Sequence, residues 1–363
     1  MKRILFSVLA LASALLVNTV KASALPIFAH RYGYSCQACH TVVPHLNAFG
    51  EEFLEHGYRI AGLKAKPAFP LAIRTNLAFS SDPDPTGLPK GIVDEVEGLL
   101  GGAIGPHLSY FFEQYLVDGG RPGSTRDAWV SYSARPFAER QFVLTFGSFT
   151  LPLPVEPETF RDSAQHYAIF DQTVGNNPFN FFDDKIGTSI AYGNPERGSS
   201  ATFALLQGHD RQSGLQTTGL DTMLYAQHAA GPLTLSAYRY GGTRALGLLA
   251  DRFWRQGYGL SAVRSKLSVD AVVQTGNDTH ASAGGNALQS SGGFLQLRYE
   301  MNNPSYFIYR LDGTNDPTNG FARSSVFLYG RRFSHNTRFT VENDLSHTPR
   351  TRNTMQAQLT IAY

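Results

Sequence analysis

The chain has 363 residues, 31 Lys and Arg against 29 Asp and Glu, and only 17% charged residues. With 35 Gly, 25 Phe and 17 Tyr, against about 25% charged residues in ordinary soluble domains, this composition excludes a charge-rich disordered chain and a helical bundle. Three of the basic residues, Lys2, Arg3 and Lys21, fall in a segment expected to be removed, so the remaining charges nearly balance and leave no footprint for nucleic acid.

The first element is an export signal over residues 1–24. Met1-Lys2-Arg3 is a basic start, Ile4 to Val20 is almost wholly apolar, and Ala22-Ser23-Ala24 fits the small-residue cleavage rule. The other reading, a membrane anchor, is disfavoured because Ser7, Ser13 and Asn18 interrupt the run and a cleavage site follows it. No later stretch approaches the ~18 consecutive apolar residues of a spanning helix.

Residues 25–69 form the second element, and they hold both cysteines of the chain, in Cys36-Gln37-Ala38-Cys39-His40. Two Cys in an exported chain suit a disulfide, and a pair spaced by two residues suits a redox dithiol. A zinc site needs four ligands, and no second Cys pair exists. The adjacent histidine shifts the balance, because C-x-x-C-H is the attachment signature of c-type haem. There, two thiols add across the vinyl groups, and the next imidazole reaches the iron. Cys36 and Cys39 are therefore expected to hold one haem c covalently, with His40 as proximal ligand. Met is a common second ligand in cytochromes c, but after the signal Met occurs only at 223, 301 and 355. His56 is the first candidate for the distal ligand and His30 the second, while His45 follows His40 too closely to reach the opposite face. An open or water-occupied sixth position is a further alternative. Leu46, Phe49, Gly50 and Phe53 recur at helical spacing, with Glu51, Glu52 and Glu55 on the other face. Pro44 suits a first helical turn and Gly57 a stop. About 45 residues are too few for an independent core unless a bound group supplies one.

From residue 70 to 363 the apolar period becomes two. Leu71, Ile73, Thr75, Leu77 and Phe79 alternate with Arg74, Asn76 and Ser80. The same holds for Leu267–Val273, for Leu295–Met301 against Gln296, Arg298 and Glu300, and for Phe339–Leu345 against Arg338, Glu342 and Asp344. Turn signals recur at Gly105-Pro106, Asn194-Pro195, Gly231-Pro232, Asn302-Asn303-Pro304 and Asn315 to Gly320. About sixteen strands are expected. A soluble sandwich and a membrane barrel share this signature, but the last strand separates them. Met355, Ala357, Leu359, Ile361 and Tyr363 alternate with Gln356, Gln358 and Thr360, and this terminus resembles the final strand of bacterial outer-membrane barrels. The fold class read here is mainly β, a transmembrane antiparallel barrel in contact with outer-membrane lipid, with a small helical haem domain before it. Arg74, Arg298, Glu300, Glu342 and Asp344 would line the lumen, each as a solvated group with no specific role. Residues 151–182 break the strand rhythm, and a loop of that length is usually functional. It suits the lumen and the outer surface equally. Asp183-Asp184 reads as a solvated turn. No P-loop, nucleophile elbow or zinc-protease motif is present.

Phe28-Ala29-His30-Arg31-Tyr32-Gly33, the Cys36–Thr41 motif, Pro44, Leu46-Asn47, Phe49-Gly50, Phe53 and Gly57-Tyr58-Arg59 together resemble the N-terminal segment of the monohaem cytochrome–porin fusions of bacterial outer membranes. The best-known relatives oxidise ferrous iron at the cell surface. The resemblance covers about 35 residues closely and the rest in architecture alone. It implies a haem unit plugging or lining a barrel in the outer membrane. Electrons would pass between an extracellular donor or acceptor, ferrous iron among the candidates, and a periplasmic carrier. An electron carrier is expected rather than a turnover enzyme. The alternatives are a porin-like transport channel with the haem unit as plug or gate, and an enzyme using an open haem position.

Overall fold

Alternating strands with an apolar outer row cannot stay as an open sheet in lipid, because every unpaired edge group would lack a partner. In the computed structural model they close on themselves. It describes residues 27–34, 36–42, 45–66, 71–81, 93–158, 161–195, 198–207, 219–246, 249–282, 284–301, 304–316, 320–334, 336–348 and 350–362. The export signal, Pro44 and Tyr363 lie outside the described residues. Sixteen strands form the ring. The first six are β1 (Leu71–Ser80), β2 (Val93–Ile104), β3 (Leu108–Asp118), β4 (Thr125–Ser133), β5 (Gln141–Phe149) and β6 (Lys185–Gly193). Next come β7 (Ser199–Gln207), β8 (Leu220–Ala230), β9 (Leu233–Leu246), β10 (Leu249–Arg264) and β11 (Leu267–Asp278). The last five are β12 (Leu288–Glu300), β13 (Ser305–Asp316), β14 (Gly320–Ser334), β15 (Thr337–Thr348) and β16 (Arg350–Ala362). Each pairs antiparallel with its sequence neighbour, and β16 closes on β1 with Leu359 opposite Leu77 and Ala362 opposite Arg74.

The two faces are the reverse of those in a soluble sandwich. Phe203, Leu224, Val273, Leu297, Tyr309 and Phe327 point outward and are exposed. Arg298, Arg310, Gln296 and Glu342 point inward and are buried. An outer wall of this kind matches hydrocarbon, and the soluble alternative is excluded. At one end the connections are short, as at 105–107 and 231–232, and the outward Tyr132, Tyr192 and Tyr299 each sit one residue from that end of a strand. Such a girdle marks a membrane–water boundary, and short turns lie on the periplasmic side of barrels of this class. The turns fall near the Gly, Asn and Pro signals, and the strand over 71–80 matches its expected alternation.

The lumen holds two insertions. Residues 150–184, between β5 and β6, fold inward from the long-loop end. Leu151, Leu153, Tyr167, Ile169, Phe170, Phe179 and Phe181 pack there against Leu206, Met223, Tyr238, Tyr240, Phe253 and Phe294 of the wall. Ring pairs such as Phe179–Tyr240 at 4.4 Å and Tyr167–Phe294 at 4.6 Å give this plug a defined geometry. Of the charges expected as solvated lining, Arg298 and Glu342 instead clamp the loop, Arg74 pairs with Glu97, Glu300 pairs with Arg298, and Asp344 is buried. Arg310 and Arg338 join the clamp. Arg310 donates to Ser163 Oγ and to the Gln165 and His166 carbonyls at 2.8–2.9 Å. Glu342 accepts from the Ala164 and Gln165 amides. Arg298 and Arg338 both face Asp162. Asp183 and Asp184 are buried rather than a solvated turn, accepting from Asn180 and the Thr150 hydroxyl. Once the loop excludes water, each inward charge needs a protein partner, because an unpaired buried charge is costly.

Residues 27–66 fill the short-turn end as a small helical unit. Its elements are α1 (Ile27–Tyr32), α2 (Cys36–Cys39) and α3 (Ala48–Glu55). The helix expected around 46–53 starts at Ala48, because Asn47 is its N-cap, with the side chain accepting from the Gly50 amide at 3.0 Å. It ends where expected, with Gly57 in the left-handed region at φ +63°.

Candidate functional site

The Cys-x-x-Cys-His segment is held by its neighbours rather than by its own length. Helix α2 spans only Cys36–Cys39, and His40 follows in a short extended stretch paired with Leu46. The Asn47 amide donates to the Cys39 carbonyl at 2.9 Å, and its side-chain nitrogen donates to the Ala38 carbonyl at 3.1 Å. One residue thus caps α3 and fixes the turn that carries the thiols. Gly50 permits this approach, since a Cβ there would collide with the Cys39 carbonyl.

Cys39 and His40 line a cavity of about 600 Å³ between the unit and the barrel wall. That volume is in the range of small-molecule and cofactor sites, about 300–1,000 Å³. From the unit come Phe28, Tyr34, Leu46, Phe53 and Tyr58, and from the wall Phe111, Trp129, Val143, Phe149 and Tyr225. Asp127, Glu156 and Arg74 supply charge on the lumen side, Arg74 being paired with Glu97. Tyr58 connects unit and wall. It stacks on Phe28 at 4.4 Å and on Trp129 at 6.1 Å, and it holds φ +63°, a conformation bulky side chains avoid. Arg59 pins the same corner. Its guanidinium donates to Ser109 Oγ at 2.8 Å and to the carbonyls of Gly105 and Leu108 on the β2–β3 hairpin.

The donor set and the walls fit a covalently attached planar macrocycle: a thiol and an imidazole on adjacent residues, lining an apolar cavity that no side chain among the described residues fills. Among the described residues lining it, His40 is the sole histidine and no methionine occurs. The side chains of Cys36, His30 and His45 lie outside the described residues. His56, the first candidate for the distal ligand, caps the end of α3 and is not part of the cavity lining. Its ring meets Phe137 at 5.1 Å, and Nδ1 stands 4.0 Å from Glu52. Burial lowers its pKa, with Glu52 opposing. Sequence reading missed Asn47, Arg59 and Trp129 as site-forming residues. The N-cap was legible from an Asn placed just before an amphipathic run. The other two depend on contacts across about 50 to 70 residues of chain.

The sequence matches no protein-family model and no curated protein. Its fold is nonetheless shared with solved barrels. An anion-selective porin from Comamonas acidovorans superposes with a TM-score of 0.60 at 13% identity, over 81% of this chain and 98% of that one. Salmonella typhi OmpF in complex with daunomycin gives 0.60 at 10% identity, over 81% and 97%. The outer-membrane channel DcaP of Acinetobacter baumannii gives 0.56 at 10% identity, over 84% and 100%. The chain therefore has the fold of the outer-membrane porins, and its apolar outer wall sits in that bilayer.

Proposed function

We propose that this barrel is closed to free diffusion and carries one haem c at its periplasmic mouth, exchanging electrons between an extracellular donor or acceptor and a periplasmic carrier. The observation that supports it is the placement of Cys39 and His40 on the wall of an apolar cavity at the joint of unit and barrel. Cys36 and Cys39 would take the thioether bonds, and His40 would face the iron. When bound, such a group supplies a one-electron couple whose potential follows axial ligation, burial and nearby charge. The residues of the chain do the rest. Asn47 fixes the turn. Phe28, Phe53, Tyr58 and Trp129 exclude water. Arg59 anchors the unit to the β2–β3 hairpin.

Expression with c-haem maturation, followed by boiled and unboiled gels of outer membranes with haem staining, tests this directly. A haem-positive band that shifts on boiling is expected. A shifting band without haem stain refutes the cofactor. Cys36→Ala should weaken covalent retention, and His40→Ala should abolish the low-spin spectrum.

A second reading follows from the fold. The neighbours include an anion-selective porin and an outer-membrane channel, which favours a transport channel with the N-terminal unit as plug. The packed loop over 150–184 weighs against passage. Vesicle swelling separates the two: rapid solute uptake independent of haem supports the channel.

A further inference from the structure

A second groove, of about 430 Å³, adjoins the first, and Tyr32 and Ile60 line both. Its character is different: Arg31, Arg59 and Lys64 bring three cationic side chains to it. Arg59 has its donors spent on Ser109 and on backbone carbonyls. Arg31 does not. Among the described residues its buried Nε has no hydrogen-bond partner and no acid pairs with it. The guanidinium lies against Gly102 of β2, where any side chain would displace it. A buried, unsatisfied guanidinium nitrogen costs free energy unless an acceptor arrives, and a planar fork prefers a carboxylate.

We propose that Arg31 is the seat for a carboxylate of the macrocycle whose apolar body fills the first cavity. The two adjoining cavities, one apolar and one cationic, match an amphiphile with a flat apolar body and an anionic edge. The inference rests on the haem reading above and adds to it the residue that orients the ring and biases its potential. Arg31 is a positioning residue. It supplies a fixed positive charge beside the group, and that charge favours the reduced state.

The test uses the full-length haem-loaded protein, with Arg31→Gln, Arg31→Lys and the exposed-charge control Lys64→Gln. Each is scored for covalent haem by staining and then for midpoint potential by spectroelectrochemical titration at low and high salt. Arg31→Gln should lower the potential at both salt concentrations, and Arg31→Lys should restore most of it. The Lys64→Gln shift should be smaller and screened by salt. A haem-loaded Arg31→Gln protein with wild-type potential, or with a shift that salt removes, overturns the proposal alone. Wild type without covalent haem overturns both readings.

A second arm leaves Arg31 in place. The full chain carrying Cys36→Ala and Cys39→Ala is offered haem as the free acid and as its dimethyl ester. The free acid should bind at least about tenfold tighter, the scale of one charge-assisted hydrogen bond. Equal affinity overturns the proposal.

Discussion

Arg59 ties the N-terminal unit to the barrel, and replacing it by Met makes that link measurable. The side chain is 7% exposed. It satisfies Ser109 Oγ and the carbonyls of Gly105 and Leu108 across the joint, besides the His56 and Gly57 carbonyls of its own unit. Met keeps the apolar stem but removes the charge-assisted bonds to Ser109, Gly105 and Leu108 across the joint. At about 1.5–3 kcal/mol for each hydrogen bond to a charged group, with water replacing part of the loss at the exposed Gly105 and Leu108, docking should weaken by roughly 3–5 kcal/mol. Hydrogen exchange over residues 27–66, in detergent with the barrel still heat-modifiable, reads this as a loss of protection of about two to three orders of magnitude, since each 1.4 kcal/mol is about tenfold. Arg59→Lys, which keeps one point charge but no fork, should recover part of the loss. Protection within about twofold of wild type in the Met variant would refute the view that this guanidinium holds the N-terminal unit on the barrel.

Asn47→Ala removes the cap on α3 and the bond to the Ala38 carbonyl together. It should cost about 1–3 kcal/mol in the local stability of the unit, read as faster exchange at Gly50 and Glu51. His56 is held below its ordinary pKa by burial, so the unfolded segment binds the proton more readily. Docking should therefore be strongest above about pH 6.5 and should weaken as pH falls through the interval below it. The slope should vanish in His56→Gln, and a pH-independent wild type refutes it. Phe181→Ala opens a cavity in the lumen core, where Phe181 is 2% exposed and meets Tyr238 at 5.4 Å. A destabilisation of about 3–5 kcal/mol is expected, seen as protease cleavage within 150–184 while the barrel band still shifts on boiling.

The strand pattern was legible because it is local. A half-buried strand alternates with period two wherever it lies, so Leu71 to Phe79 and Leu295 to Tyr299 declared their faces without knowledge of neighbours. The end of α3 at Gly57 was equally local. The C-x-x-C-H spacing marked the candidate site in the same way, through residues adjacent in the chain.

Tertiary structure alone decided three things. The loop over 150–184 suited the lumen or the outside equally, because its apolar residues have no period and its partners, Tyr240, Phe253 and Phe294, lie more than 50 residues away. The inward charges read as solvated because each alternates with apolar neighbours like any wet face. Only the loop that covers Arg298 and Glu342 turns those two into clamps. The apolar cavity beside Cys39 and His40 exists because Trp129 and Phe111 of the barrel meet Tyr58 of the unit. Periodicity determined the alternating strands, the pattern of the last strand pointed to a membrane barrel, and residue spacing marked the thiol–imidazole motif. Burial and long-range pairing, which no local spacing encodes, determined that the loop after β5 packs into the lumen and that the motif faces its joint with the wall.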